Sequence, residues 1–169
     1  MDIIGASIFR QHLKLTYSIK KEIQMSESVI RIEGYASVFN IPDQEGDIIT
    51  PGAFQEFIEN RPLNIPVLWQ HYPNVPIGKL IGAAEDAYGL FVKLEVCTEI
   101  QAGKEAVNLI ERGILKGLSI GFKVIKSTRG SGKIRRLLNQ LNLKEISIVT
   151  FPAQEKAIIT HSEKKVARV

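Results

Sequence analysis

An α+β fold, mainly β and built on a β-barrel or strongly curved sheet, is what this sequence predicts. Three observations carry that expectation. Apolar and polar residues alternate with period two in several separate stretches, the mark of half-buried strands. Only two or three segments show helical spacing instead. The 169 residues, 44% hydrophobic and 24% charged, suit one domain with a real core. About seven short strands with a few surrounding helices follow from these.

Residues 1–28 read as an N-terminal extension or a first strand, because Leu13, Leu15, Tyr17 and Ile19 alternate with Lys14, Thr16, Ser18 and Lys20. Met25 is an alternative start, which would leave residues 1–24 outside the domain. From Val29 the next strand places Ile30, Ile32, Ala36 and Val38 on one face, with Gly34 as a bend. The segment NIPDQEGD is a loop. Thr50 and Pro51 are expected as N-cap and first position of a short helix whose apolar face is Phe54, Phe57 and Ile58. IPVLWQ is a strand running into the Pro-rich HYPNVP, and Leu90, Val92, Leu94 and Val96 alternate along another. Thr98 and Gln101 have capping-box spacing ahead of the clearest amphipathic helix, with Ala102, Ala106, Leu109 and Ile110 inward and its end near Gly113. GLSIGFKVI, a basic loop and the strand LKEISIVTF complete the pattern.

Composition removes several classes of function. The single cysteine, Cys97, excludes an internal disulfide framework and a zinc site built on several cysteines, and a reducing, cytosolic setting is expected. No apolar run approaches the ~20 residues of a membrane span, and the amino terminus lacks the pattern of a secretory signal. A net charge of +4 with a pI of about 9.2 is modest for nucleic-acid binding. Asp43, Glu45 and Asp47 lack the spacing of a calcium loop, so an Asx-type turn is expected there and no metal. Lys126, Arg129, Lys133, Arg135 and Arg136 read as a solvated loop, with docking of an acidic partner as the alternative.

Gly117-Leu118-Ser119-Ile120-Gly121 matches the G-x-S-x-G pattern of a nucleophile elbow, but a helix precedes it and extended chain follows, the reverse of the elbow's context. Read as a strand, it turns Leu118, Ile120 and Phe122 to the core and leaves Ser119 between two glycines on the other face. That hydroxyl is open to a peptide laid alongside; the alternative is a solvent-facing serine with glycines at bulges. His71 stands at a strand end entering a stiff loop, where a general base could be held, or an imidazole simply packed among aromatics. His12 and His161 fall near the termini. In LKEISIVTF, Ile146, Ile148 and Thr150 share one face and Glu145, Ser147 and Val149 the other. Glu145 must therefore reach water or a partner; it could orient a histidine or pair with a lysine.

Five segments taken together resemble one family, the tailed-bacteriophage prohead maturation proteases, relatives of the herpesvirus assemblins. They are EGYASVFNIPDQEGDIITPGAF, PVLWQHYPNVPIGKL, GLFVKLEV, ERGILKGLSIGF and LKEISIVTFPAQEKA. The resemblance implies a protease domain over residues 29–160, a basic tail over 161–169, and an assemblin-like closed β-barrel with surrounding helices. It implies a serine endopeptidase that cleaves the scaffolding portion of the capsid protein, and itself, inside the procapsid in the host bacterial cytoplasm. Ser119 would be the nucleophile, His71 the base and Glu145 the third member, with no cofactor and no metal. The turn Phe151-Pro152-Ala153-Gln154 would be a source of oxyanion donors, Pro152 excepted. Tyr72 departs from the Asp more usual after LWQH in the family. Partners implied are the major capsid or scaffold protein and a second copy of the chain; membrane and nucleic acid are disfavoured. The alternative is a catalytically inactive capsid-assembly or scaffold-binding module of the same fold.

Overall fold

The computed structural model describes residues 29–60 and 65–164, so the expected strand at Leu13–Ile19 and His12 lie outside the described residues. Eight strands form one mixed sheet: β1 (Val29–Val38), β2 (Asp47–Ile49), β3 (Pro66–Trp69), β4 (Pro76–Glu85), β5 (Gly89–Cys97), β6 (Gly117–Arg129), β7 (Arg136–Val149) and β8 (Ile159–Lys164). Among the described residues two helices accompany it, α1 (Gln55–Glu59) and α2 (Gln101–Glu111). The 14-residue β7 is the spine. One of its edges pairs antiparallel with β6 along nearly its whole length. The other takes β2 in parallel at Arg136–Leu138 and then β3 in parallel at Ile146–Ile148. From β3 the sheet continues through β4, β5 and β1 to β8.

The period-two expectation holds best where one face is wholly covered. Leu90, Val92, Leu94 and Val96 of β5 are all fully buried, and Ile30 and Ile32 of β1 pair with Val96 and Leu94. The expected face of β1 does not run on to Val38: Ala36 is the extra residue of a bulge between Tyr35 and Ser37, so Ser37 pairs with Leu90 and Val38 with Gly89. Leu118, Ile146 and Ile148 join the same core. The ladder does not close into a continuous barrel. Its two edges meet at one isolated bridge, Gly117 to Ile158, flanked by bonds from Leu118 N to the Ala157 carbonyl and from Ile159 N to that of Lys116. Gly34 is required there because any Cβ would strike the Ile158 carbonyl, so its role is close approach as much as bending. β8 runs through the expected boundary at residue 160 and pairs with β1 from Ile30 to Gly34.

Both helix starts differ from expectation. α1 begins at Gln55, not Pro51, because Gly52 takes a left-handed φ of 86° that interrupts the turn. Thr50 Oγ1 bonds the Leu138 carbonyl instead of capping, and the free N–H groups of Gly52 and Phe54 donate to the Glu85 carboxylate of β4 at 2.9 and 2.6 Å. At α2 the helix starts at Gln101 with Ile100 in the N-cap position, two residues after Thr98, and Ile100 makes no side-chain cap bond. Its other end is as expected: Gly113 at φ 68° closes it, with Gly113 N donating to Ile110 and Ile114 N to Leu109, a Schellman pair.

The basic segment is exposed but only partly a loop: Lys133 and Arg135 lie in the connection between β6 and β7. Lys126 and Arg129 lie in β6 and Arg136 opens β7. Arg135 and Arg136 each grip the buried Asp47 carboxylate through Nε and Nη2, at 2.5–3.1 Å, and Arg135 also reaches Glu45. The expected Asx turn is present beside it, Asp43 Oδ1 accepting from the N–H groups of Glu45 and Asp47.

Candidate active site

β6 and β7 pair in the register Ser119 to Ser147 and Gly121 to Glu145, and directly paired residues turn their side chains to the same face. Ser119, Ser147 and Glu145 therefore share the face opposite the Leu118–Ile146–Ile148 core. It is not a solvent face, since Ser119 is only 5% exposed and Ser147 fully buried. Nor do the flanking glycines leave room for an incoming peptide directly above them. A Cβ on Gly121 would lie 2.8 Å from Glu145 Cγ and closer still to Oε1; one on Gly117 would lie 2.5 Å from the Val149 carbonyl and 3.0 Å from Pro152. The glycines make space for the protein's own carboxylate and turn.

His71 reaches this face from β3. After Trp69 the chain reverses through Gln70 and His71, both left-handed at φ 51° and 60°, closed by the bond from Tyr72 N to the Trp69 carbonyl. Two successive non-glycine residues in that region are costly, and the surroundings must hold them. They do so from three sides. Gln70 N donates to the Ile148 carbonyl, extending the β3–β7 ladder by one step. The Gln70 amide donates to Thr150 Oγ1 at 2.9 Å and accepts from Thr150 N at 3.1 Å. His71 N donates to Ser147 Oγ at 3.1 Å.

So held, the imidazole places Nδ1 2.7 Å from Glu145 Oε1, and Ser147 Oγ donates to Glu145 Oε2 at 2.8 Å. The hydrogen bond that His71 donates to Glu145 lifts the imidazole above the ordinary histidine value; partial burial opposes this, and the carboxylate's charge adds to it. A carboxylate on Nδ1 fixes the neutral tautomer with Nδ1–H, leaving Nε2 as the basic nitrogen. Of the three residues singled out from the sequence, the structure joins His71 to Glu145 and sets Ser119 on the same face. It does not join His71 to Ser119, whose hydroxyl has no side-chain hydrogen bond to any described residue.

Ser147 and Gln70 were not singled out as site residues. A polar residue alternating in an apolar strand and a glutamine at a strand end carry no distinguishing spacing. The turn after β7 packs against Gly117. Its Pro152 and Ala153 carbonyls accept from the side chain and backbone of Gln44, and the buried Gln154 side chain ties β1 at Ser37 and Val38 to Ile41. Phe151 projects outward, 86% exposed. His161, on β8, lies 3.7 Å from Glu163 and away from these groups.

A family model described as caudovirus prohead serine protease matches residues 16–169. The prohead protease of Enterobacteria phage HK97 is 36% identical over 127 residues, covering 74% of this chain and 56% of that protein. The prohead protease of Escherichia phage T5 is 28% identical over 134 residues, 78% of this chain and 62% of that one. A capsid polyprotein of Pseudomonas phage PAJU2 is 35% identical over 137 residues, 76% of this chain but 19% of the polyprotein. The chain thus spans a little over half the length of the first of these relatives. Among solved structures, KSHV protease with a hexapeptide phosphonate inhibitor superposes with a TM-score of 0.56 at 13% identity, over 80% of this chain and 65% of that one. Varicella-zoster virus protease gives 0.52 at 16% identity, over 80% and 64%. At these identities the likeness is one of fold, an assemblin-like one.

Proposed function

Because the chain belongs to the caudovirus prohead serine protease family, we propose that it is a serine endopeptidase of phage head maturation, with Ser119, His71 and Glu145 as its catalytic residues. The observation that carries this reading is the 2.7 Å contact from His71 Nδ1 to Glu145, made on the sheet face where Ser119 stands. His71 Nε2 takes the Ser119 proton as Oγ attacks the scissile carbonyl. Glu145 stabilises the resulting imidazolium. The imidazolium then protonates the leaving amine, and water attacks the acyl-enzyme with His71 again as base. The first step needs His71 Nε2 and Ser119 Oγ brought within hydrogen-bond reach, a contact that tightens when substrate is bound. Backbone N–H groups of the turn after β7 would hold the oxyanion.

The substrate in this reading is the scaffolding portion of the capsid protein, within the procapsid of the bacterial host. The relative named a capsid polyprotein supports it, since a stretch like this chain lies within one polypeptide so named. Self-cleavage and pairing with a second copy belong to the same proposal. The closed barrel belongs here too: the Gly117–Ile158 bridge is the seam along which the sheet edges would join.

Co-expression with the capsid protein tests the reading. Cleavage should require Ser119, and a fluorophosphonate probe should modify that residue, as read by peptide mass. Cleavage that persists in Ser119→Ala overturns the assignment. The second reading, a binding module without turnover, is favoured by the missing Ser119–His71 bond. It predicts capsid-protein binding with neither probe labelling nor cleavage.

A further inference from the structure

Between the nucleophile's strand and the base's turn stands a buried hydroxyl to which the reaction assigns no step. We propose that Ser147 is a positioning residue that fixes His71 and Glu145 relative to one another, so that the imidazole approaches Ser119 in one tautomer and one orientation. This rests on the proteolytic reading above.

The hydrogen bonds leave the hydroxyl one arrangement. His71 N is a donor, so Ser147 Oγ can only accept from it, at 3.1 Å. The single hydroxyl proton is then committed to Glu145 Oε2, at 2.8 Å. With Oε2 occupied, Oε1 is the oxygen turned to His71 Nδ1, and Glu145 is the one charged group acting on that imidazole among the described residues. One side chain therefore holds the backbone of the base and the carboxylate of its partner. It does so from the β7 position paired directly with Ser119. Being fully buried, Ser147 has no water to substitute for either contact. The left-handed backbone at His71 adds a second requirement. A turn with two strained residues persists only where its N–H groups are tied, and at His71 that tie is Ser147. The Gln70–Thr150 pair anchors the same turn one residue earlier but touches neither the imidazole nor the carboxylate.

The test compares wild type, Ser147→Ala and Ser147→Thr, using the full chain with 15N-labelled histidine. His71 is followed by long-range 15N–1H correlation across a pH series, and kcat and KM for capsid-protein cleavage are measured separately. In Ser147→Ala, the Nδ1–H tautomer should lose population and the His71 titration should move to lower pH. Turnover should fall about 10- to 100-fold with KM little changed, and Ser147→Thr, which keeps the hydroxyl, should recover most of it. A His71 titration and tautomer in Ser147→Ala that coincide with wild type overturn the proposal, whatever the activity. If Ser147→Thr does not fold, Ser147→Cys, close in volume but a weak hydrogen-bond partner, should fall with Ser147→Ala; wild-type behaviour in it would likewise refute the role. The NMR readout does not need turnover. A wild type that never cleaves, with a His71 signal that still responds to Ser147, sinks the proteolytic reading alone.

Discussion

Asp47 offers the perturbation whose size follows most directly from the structure. Its carboxylate is 3% exposed and receives four hydrogen bonds from Arg135 and Arg136. Those bonds, Arg136's foremost, pull its pKa from 3.8 to about 2, while desolvation works against them. A folded-state pKa below the unfolded one means stability that is present above the unfolded value and lost as pH falls towards the folded one. At about 1.4 kcal/mol per unit the full shift would be worth somewhat over 2 kcal/mol at pH 7. The guanidiniums are 47% and 37% exposed, so solvent screens them and about 1–2 kcal/mol is the reasonable figure. Asp47→Asn removes the charge with little change in shape. Urea unfolding at pH 7 should find the variant less stable by about that amount, and at pH 3 the gap should shrink to roughly half. A gap of equal size at both pH values, or none at pH 7, would show that the carboxylate's charge does not secure the junction of β2 with β7.

Two further outcomes concern the site. Glu145→Gln should lower kcat by about 10³- to 10⁴-fold, with KM near that of wild type, because the tautomer is no longer enforced. Glu145 raises the His71 pKa, so its loss should move the acid limb of the pH–rate profile to lower pH, where the imidazole now stays unprotonated; an unmoved limb would count against the pair. Gly121→Ala drives a methyl into the Glu145 side chain and should cost about 1–3 kcal/mol in unfolding free energy together with most of the activity. Full activity there would mean the carboxylate is not held where the structure puts it.

What could be read from the sequence was what repeats locally. Period two placed the buried face of β5 and that of β1 as far as its bulge at Ala36, and the apolar spacing with Gly113 gave α2 and its end. Ser119 between glycines, His71 at a strand end and Glu145 in an apolar strand could be marked as candidates locally, each with a plain structural alternative, and only the resemblance of five segments joined them into one candidate site. What could not be read depends on partners far away in the chain. Thr50–Pro51 is a sound local cap signal, but Glu85, 31 and 33 residues from the N–H groups it meets, supplies the capping instead. Arg135 and Arg136 look like a solvated run until Asp47, 88 and 89 residues away, is set beneath them. The site glycines announce space without saying what fills it, and only the β6–β7 register assigns it to Glu145.

That register is also what makes one strand serve core and site together. Along β7, Leu141 and Leu143 are buried with Asn142 and Lys144 exposed, whereas Ile146 and Ile148 are buried further on. Positions 143 and 146 cannot face the same way in an unbroken strand. The pairing resolves this at a bulge: Phe122 pairs with Leu143 and Gly121 with Glu145, leaving Lys144 without an opposite residue. The extra residue reverses the parity of β7, so both leucines and both isoleucines turn inward while Glu145 and Ser147 come to the opposite face. Without it, burying the isoleucines would expose the leucines. The hydrophobic demand of two unequal runs thus accounts for a carboxylate and a hydroxyl two residues apart on the face where Ser119 stands, before any demand of chemistry is considered.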